Sequence, residues 1–176
     1  YLGRQVTLLV DRLAEQGLLT SAARLALYWI IERIASQGGV LDLRGQRFVL
    51  LGAAAELAPT QALLDAGAQV LWVDLAEPEA YLKEHGVQAG TLVRTERPFD
   101  LLDSPARVRA AIERFASEGS PVHVAAFAYA EGASREWRLG ASMIAIASHM
   151  RPGTLASLSM SVAPTTVATL QPESLR

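Results

Sequence analysis

Short, unbroken apolar runs separated by helical stretches constrain this chain more than any other feature. "FVLL" (48–51) and "VLWV" (70–73) have no polar position on either face. A strand with one wet face alternates polar and apolar residues, so continuous runs of this length predict strands covered on both sides, as in a parallel sheet. Between them "LAPTQALLDAG" reads as a helix of about three turns. "EPEAYLKEHG" reads as a second helix closed by Gly86, and "TLVRTE" as a third strand. "SPARVRAAIERFASEG" carries a cap at Asp103 or Ser104, Pro105 in its first turn, and Val108, Ala111, Ile112 and Phe115 on one face. "PVHVAAFAYA" is the fourth strand, "SREWRLGASMIAIASHM" the next helix and "GTLASLSMSV" the fifth strand. Alternation of this kind implies right-handed crossovers and helices on both faces of the sheet.

Two helices precede this pattern. "RQVTLLVDRLAEQG" places Val6, Leu9, Val10 and Leu13 on one face and stops at Gly17. "TSAARLALYWIIERIASQGG" starts at a Thr20/Ser21 cap and ends at Gly38-Gly39. Leu27, Ile30, Ile31 and Ile34 form its stripe, and Leu25, Tyr28 and Trp29 extend apolar surface around most of the helix. Such a helix is expected to be buried on several sides, by the domain or by a second subunit. The expected organisation is a helical hairpin over 1–44, for packing or oligomerisation, and one α/β domain over 45–176.

Composition narrows the partners. The 176 residues are 51% hydrophobic and 19% charged, with a formal charge of −2, so no basic face is expected for nucleic acid or an anionic membrane. No run approaches the ~20 apolar residues of a membrane span. Cys is absent, which excludes disulfides and thiolate metal sites and fits a reducing, cytoplasmic setting. The chain opens at Tyr1 rather than Met and reads as trimmed at its N-terminus.

The turn after the first strand is where chemistry is expected. A helix beginning there offers free N–H groups and a positive dipole end to an anion. Gly52 permits the sharp turn, Ala53, Ala54 and Ala55 leave room for a pyrophosphate, and Ala58 still allows close helix–strand packing. Glu56 departs from this pattern. A carboxylate there repels a diphosphate by about 1 kcal/mol or more, unless it caps the helix N-terminus instead. Asp74 ends the second strand, where an acid roughly 20 residues beyond such a turn receives ribose hydroxyls and favours NAD over a 2′-phosphate. The plain alternative is that Asp74 caps the turn that follows.

"VLLGAAAELA", "VLWVDL" and "FDLLDSPARVRAAIERFASEG-PVHV", in this order and spacing, resemble the first half of a short-chain dehydrogenase/reductase over about 47–162. The resemblance implies a doubly wound, five-stranded Rossmann-like parallel sheet of order 3-2-1-4-5 behind the N-terminal hairpin. It also implies NAD as cofactor and a small-molecule substrate. Gly52 matches the first glycine of the family's TGxxxGxG turn and Asp74 its ribose-binding acid. Asp100 and Leu101 match the pair that contacts adenine. Ala126, Phe127 and Ala128 fall near its "NNAG" segment. Ala53, Ala54, Ala55, Leu57 and Leu75 complete the expected cofactor contacts.

The resemblance fails at the reacting groups. The family works through Tyr-x-x-x-Lys preceded by Ser, but Lys83 is the only lysine here, with Glu79 four residues before it. Tyr1, Tyr28, Tyr81 and Tyr129 have no lysine in that register, and Asn is absent altogether. Ser159 and Ser161 lie near the family's Ser position without a partner. No catalytic residue is therefore assigned. His85, His123 and His149 lack ligand spacing and read as structural or solvated, so no metal is expected. Trp137, spaced with Gly140, Ala141 and Ile144, reads as packing.

Three functions follow. One is a divergent or truncated dehydrogenase/reductase-like NAD(P)-binding domain. Another is a non-catalytic scaffold or partner-binding subunit that has lost the nucleotide. The third is a methyltransferase holding S-adenosylmethionine through Asp74. A homo-oligomer or partner contact through the N-terminal helices is expected in each case.

Overall fold

The structure is a computed structural model and describes residues 3–86 and 89–161. It divides into two compact units, one containing Tyr1–Asp42 and the other Leu43–Val162.

The first unit holds α1 (Gly3–Glu15) and α2 (Ser21–Ser36), packed against each other. Thr20 caps α2, its Oγ1 accepting the Ala23 N–H at 3.1 Å. Asp11 on α1 accepts from the Tyr28 hydroxyl and, at 2.6 Å, from Arg24, both on α2. The Tyr28 hydroxyl, helped by Arg24, holds the Asp11 carboxyl below its usual range. Val10 is buried, but α2 has no buried residue, and Leu25 and Trp29 are each 67% exposed. The all-round burial expected of α2 is thus not met by the described residues, because α1 covers only one side of it.

In the second unit the described residues form β1 (Arg47–Leu51), α3 (Thr60–Asp65), β2 (Gln69–Val73), α4 (Pro78–His85), β3 (Thr91–Arg94), α5 (Pro105–Ser117), β4 (Val122–Ala126), α6 (Ala133–Ser148) and β5 (Leu155–Met160). The strands are all parallel, in the order β3-β2-β1-β4-β5. This is the parallel α/β sheet expected from the apolar runs, in the doubly wound order that the resemblance implies. β1 is central, paired with β2 on one edge and β4 on the other.

Alternation along the strands sends side chains into two cores. Val49, Leu51, Leu71, Val73, Val122, Val124 and Ala126 face α5 and α6, whose Val108, Ile112, Phe115, Leu139, Met143 and Ile146 complete that layer. Leu50, Val70 and Trp72 face the other way, onto Leu64 of α3 and Tyr81 of α4. Burying a Leu or Ile side chain fully contributes about 1.5–3 kcal/mol, so these two layers carry the fold. Trp72 spends its indole N–H on the Ala76 carbonyl at 2.8 Å, the partner a buried indole needs.

Three expectations are corrected. The helix after β1 is not three turns long, since α3 has six residues and Ala53–Ala58 form successive turns. Pro59 drives Ala58 out of helical geometry, and the Thr60 hydroxyl binds the Ala53 carbonyl at 2.6 Å, fixing the turns beneath the strand end. Trp137 does not pack, being 82% exposed along with an exposed Ile144. The buried face of α6 runs instead through Leu139, Ser142, Met143 and Ile146. At the head of α5, Ser104 occupies the cap position but makes no side-chain cap bond.

His123 projects from β4 to the side opposite α5 and α6. Its Nδ1 pairs with Ser157 Oγ at 2.8 Å, its Nε2 with Gln46 Oε1 at 3.3 Å, and its ring stacks on Phe48. Among the described residues no three His, Asp or Glu side chains form a metal-holding group. No described helix is long and apolar enough to cross a membrane.

Candidate functional site

At β1 the chain winds outward in two directions. β2 lies on one side and β4 on the other, so the loops leaving β1 and β4 diverge and leave a crevice above the strand ends. A cleft of about 420 Å³ lies there.

The β1 turn forms its floor. Gly52 has φ +86°, and a Cβ there would stand 2.5 Å from Ala128 N and 2.6 Å from Ala128 Cα. Leu51 O accepts both the Phe127 N–H at 2.7 Å and the Ala128 N–H at 2.8 Å, while the Gly52 N–H donates to Val73 O at 2.8 Å. The ends of β1, β2 and β4 are thereby laced together by backbone alone. Glycine at 52 is demanded by this approach, independent of any ligand.

Asp74, just past β2, forms one wall. Its Oδ2 accepts the Ala54 N–H at 2.8 Å and its Oδ1 the Ala76 N–H at 2.9 Å. The carboxylate therefore ties the β1 turn to the end of β2 and also caps its own turn. A carboxylate has about four acceptor sites, so each oxygen keeps capacity for a hydroxyl donor.

Asp100 and Leu101 form the next wall. Asp100 Oδ1 accepts the Leu102 N–H at 2.7 Å, and the Leu101 carbonyl accepts from the buried Ser142 hydroxyl of α6. Ala128, Tyr129 and Arg135 close the far side. They come from the loop after β4 and the first turn of α6.

Gly52, Ala54, Ala55, Asp74, Leu75, Asp100, Leu101 and Ala128 are thus brought together around the cleft. Ala53 and Ala126 are buried beneath the strand ends, in opposite core layers. Phe127 packs with Ala53 in the layer of α3. Leu57 points outward, 77% exposed, because its segment is a turn rather than the first turn of a helix. Glu56 does not cap a helix: α3 begins beyond it at Thr60 with Pro59 in the cap position, and the exposed Glu56 lines the cleft. Tyr129 and Arg135 are new to the site. Their signal was the position of β4 beside β1, which brings any loop after β4 to the same crevice.

The resemblance implies NAD, and its two ends fare differently. Asp74 has acceptor capacity for ribose hydroxyls, and Asp100 with Leu101 borders the neighbouring space, so the adenosine end fits. The diphosphate does not. No helix begins at the turn, Asp74 holds the Ala54 N–H, and Glu56 adds negative charge where phosphates would lie.

Comparison with known proteins gives the fold and little more. No family model and no curated protein matches the chain. Among solved structures, a short chain dehydrogenase from Mycobacterium thermoresistibile matches with a TM-score of 0.51 at 18% identity, over 77% of this chain. The match spans 56% of that structure's length. With its strand order and crossovers, the unit Leu43–Val162 has a Rossmann-like fold, and the chain is similar in fold to that solved short chain dehydrogenase.

Proposed function

We propose that Leu43–Val162 is a divergent, short-chain dehydrogenase/reductase-like binding domain that recognises the adenosine part of its ligand. The observation that carries this is Asp74, partly exposed in a cleft at the strand ends with acceptor capacity left on both oxygens. The hydride-transfer pair of the family has no counterpart in these 176 residues, so this reading is one of binding and assigns no reaction. Calorimetry with adenosine and 2′-deoxyadenosine tests the reading. Loss of the 2′-hydroxyl is expected to weaken binding about tenfold, near the ~1.4 kcal/mol of one hydrogen bond to a charged acceptor. That difference is expected to vanish in Asp74→Ala. Equal affinity for both nucleosides in the unaltered chain removes Asp74 from the assignment.

A second reading is supported by the same residues. Gly52 is required by the Ala128 backbone and Asp74 binds two backbone N–H groups, so both have structural work without a ligand. On this reading the domain is a scaffold or partner-binding subunit. Failure of every adenosine derivative to bind at millimolar concentration selects it.

Assembly is assigned to the N-terminal helices, because the exposed Leu25 and Trp29 lie one turn apart on α2. The chain is expected to sediment as a dimer or larger, and Trp29→Glu as a folded monomer, since a carboxylate buried in an apolar contact costs several kcal/mol. An unaltered chain that stays monomeric across micromolar concentrations refutes it.

A further inference from the structure

Charge around the cleft separates one class of nucleoside ligand from another. Among the described lining residues, Glu56, Asp74 and Asp100 carry negative charge and Arg135 alone carries positive charge. In the fold's usual anion site a helix N-terminus compensates phosphates, but here the β1 turn runs through Ala58 before the six-residue α3 begins. Several of the turn's N–H groups are also committed. Ala55 N–H donates to Gly52 O at 3.1 Å, Ala58 N–H to Ala55 O at 2.9 Å, and Ala54 N–H to Asp74. These three donors serve the protein, and the side chains that the turn presents to the cleft are those of Ala54, Ala55 and Glu56. The cleft of about 420 Å³ lies within the roughly 300–1,000 Å³ of ligand pockets, room enough for a nucleoside.

We infer that the cleft takes a nucleoside whose 5′ carbon bears a neutral or cationic group rather than phosphate; this rests on the nucleoside reading proposed above. Asp74 meets the ribose hydroxyls, Asp100 and Leu101 border the base, and Glu56 faces the 5′ substituent. A cationic substituent gains from Glu56, whereas each added phosphate is repelled by it with only Arg135 to offset the repulsion. The selectivity is electrostatic, so salt weakens it.

The test is titration calorimetry on the full chain with adenosine, 5′-amino-5′-deoxyadenosine, AMP and ADP, at low and high salt. Adenosine and its 5′-amino derivative are expected to bind at least tenfold more tightly than ADP at low salt, with AMP between. High salt narrows the gap, and Glu56→Gln moves the ADP-to-adenosine ratio toward one. ADP binding as tightly as adenosine or more tightly overturns the inference while leaving the nucleoside reading intact. So does a gap unmoved by both salt and Glu56→Gln. Absence of binding by all four at millimolar concentration removes the nucleoside reading itself, and this inference with it.

Discussion

Gly52→Ala is expected to destabilise the second unit by about 2–5 kcal/mol, combining about 1–2 kcal/mol for an L side chain forced to positive φ with about 1–3 kcal/mol of overpacking. The clash is with backbone: the new Cβ would lie 2.5 Å from Ala128 N and 2.9 Å from Phe127 C, and neither can move without breaking its bond to Leu51 O. Against a usual domain stability of about 5–15 kcal/mol the loss is large. It corresponds to a melting shift of roughly 5–15 °C. Gly153→Ala serves as the control, because Gly153 also has positive φ (+81°) but nothing within 4 Å of a Cβ. It is expected to lose only the backbone part. Equal losses for the two variants in urea unfolding contradict the close approach at the strand ends.

Asp74→Ala is expected to cost about 1–2 kcal/mol even without ligand, since it strips acceptors from the Ala54 and Ala76 N–H groups, which water only partly replaces. Asp74→Asn discriminates further. Its amide oxygen can keep one N–H, but its NH₂ group then meets the other N–H, donor against donor. Asn is therefore expected to be no better than Ala, although it matches Asp in shape. An Asn variant as stable as the unaltered chain means that the acid does not bridge the two turns. Because stability and binding share this residue, the adenosine to 2′-deoxyadenosine ratio, rather than affinity alone, reports its ligand role.

The sheet was legible because its signal is compositional. "FVLL" and "VLWV" cannot sit on a half-wetted strand, and their order with the intervening helices leaves few topologies. Residues 57–59 were misread as the first turn of the helix because leucine and alanine favour helix locally, while the decisive residue, Pro59, acts backward on its neighbour. Trp137 was misread because helical spacing shows which residues share a face and not which face meets the sheet. Asp74 was read from its position at the end of β2, and Asp100 from the resemblance. Tyr129 and Arg135 were invisible to motif reasoning, since they reach the crevice only through the crossover that sets β4 beside β1. No local pattern of residues encodes that neighbourhood.

The central place of β1 also governs how this unit is made during synthesis. The fully buried residues facing α3 and α4 lie between Leu50 and Trp72, so the centre of that layer can gather before β4 is made, with Ala125 and Phe127 added later. The opposite layer runs from Val49 to Ile146 and must wait for α6. Until β4 emerges, one edge of β1 has no neighbour, although its Val49, Leu50 and Leu51 are fully apolar. At translation rates of about 5–20 residues per second, that sticky edge stands open for on the order of 5–15 s. Non-local pairing of this kind is also intrinsically slow to form. Nascent chains halted between β3 and β4 should therefore engage chaperones or self-associate through this edge, and chains extended past β5 should not.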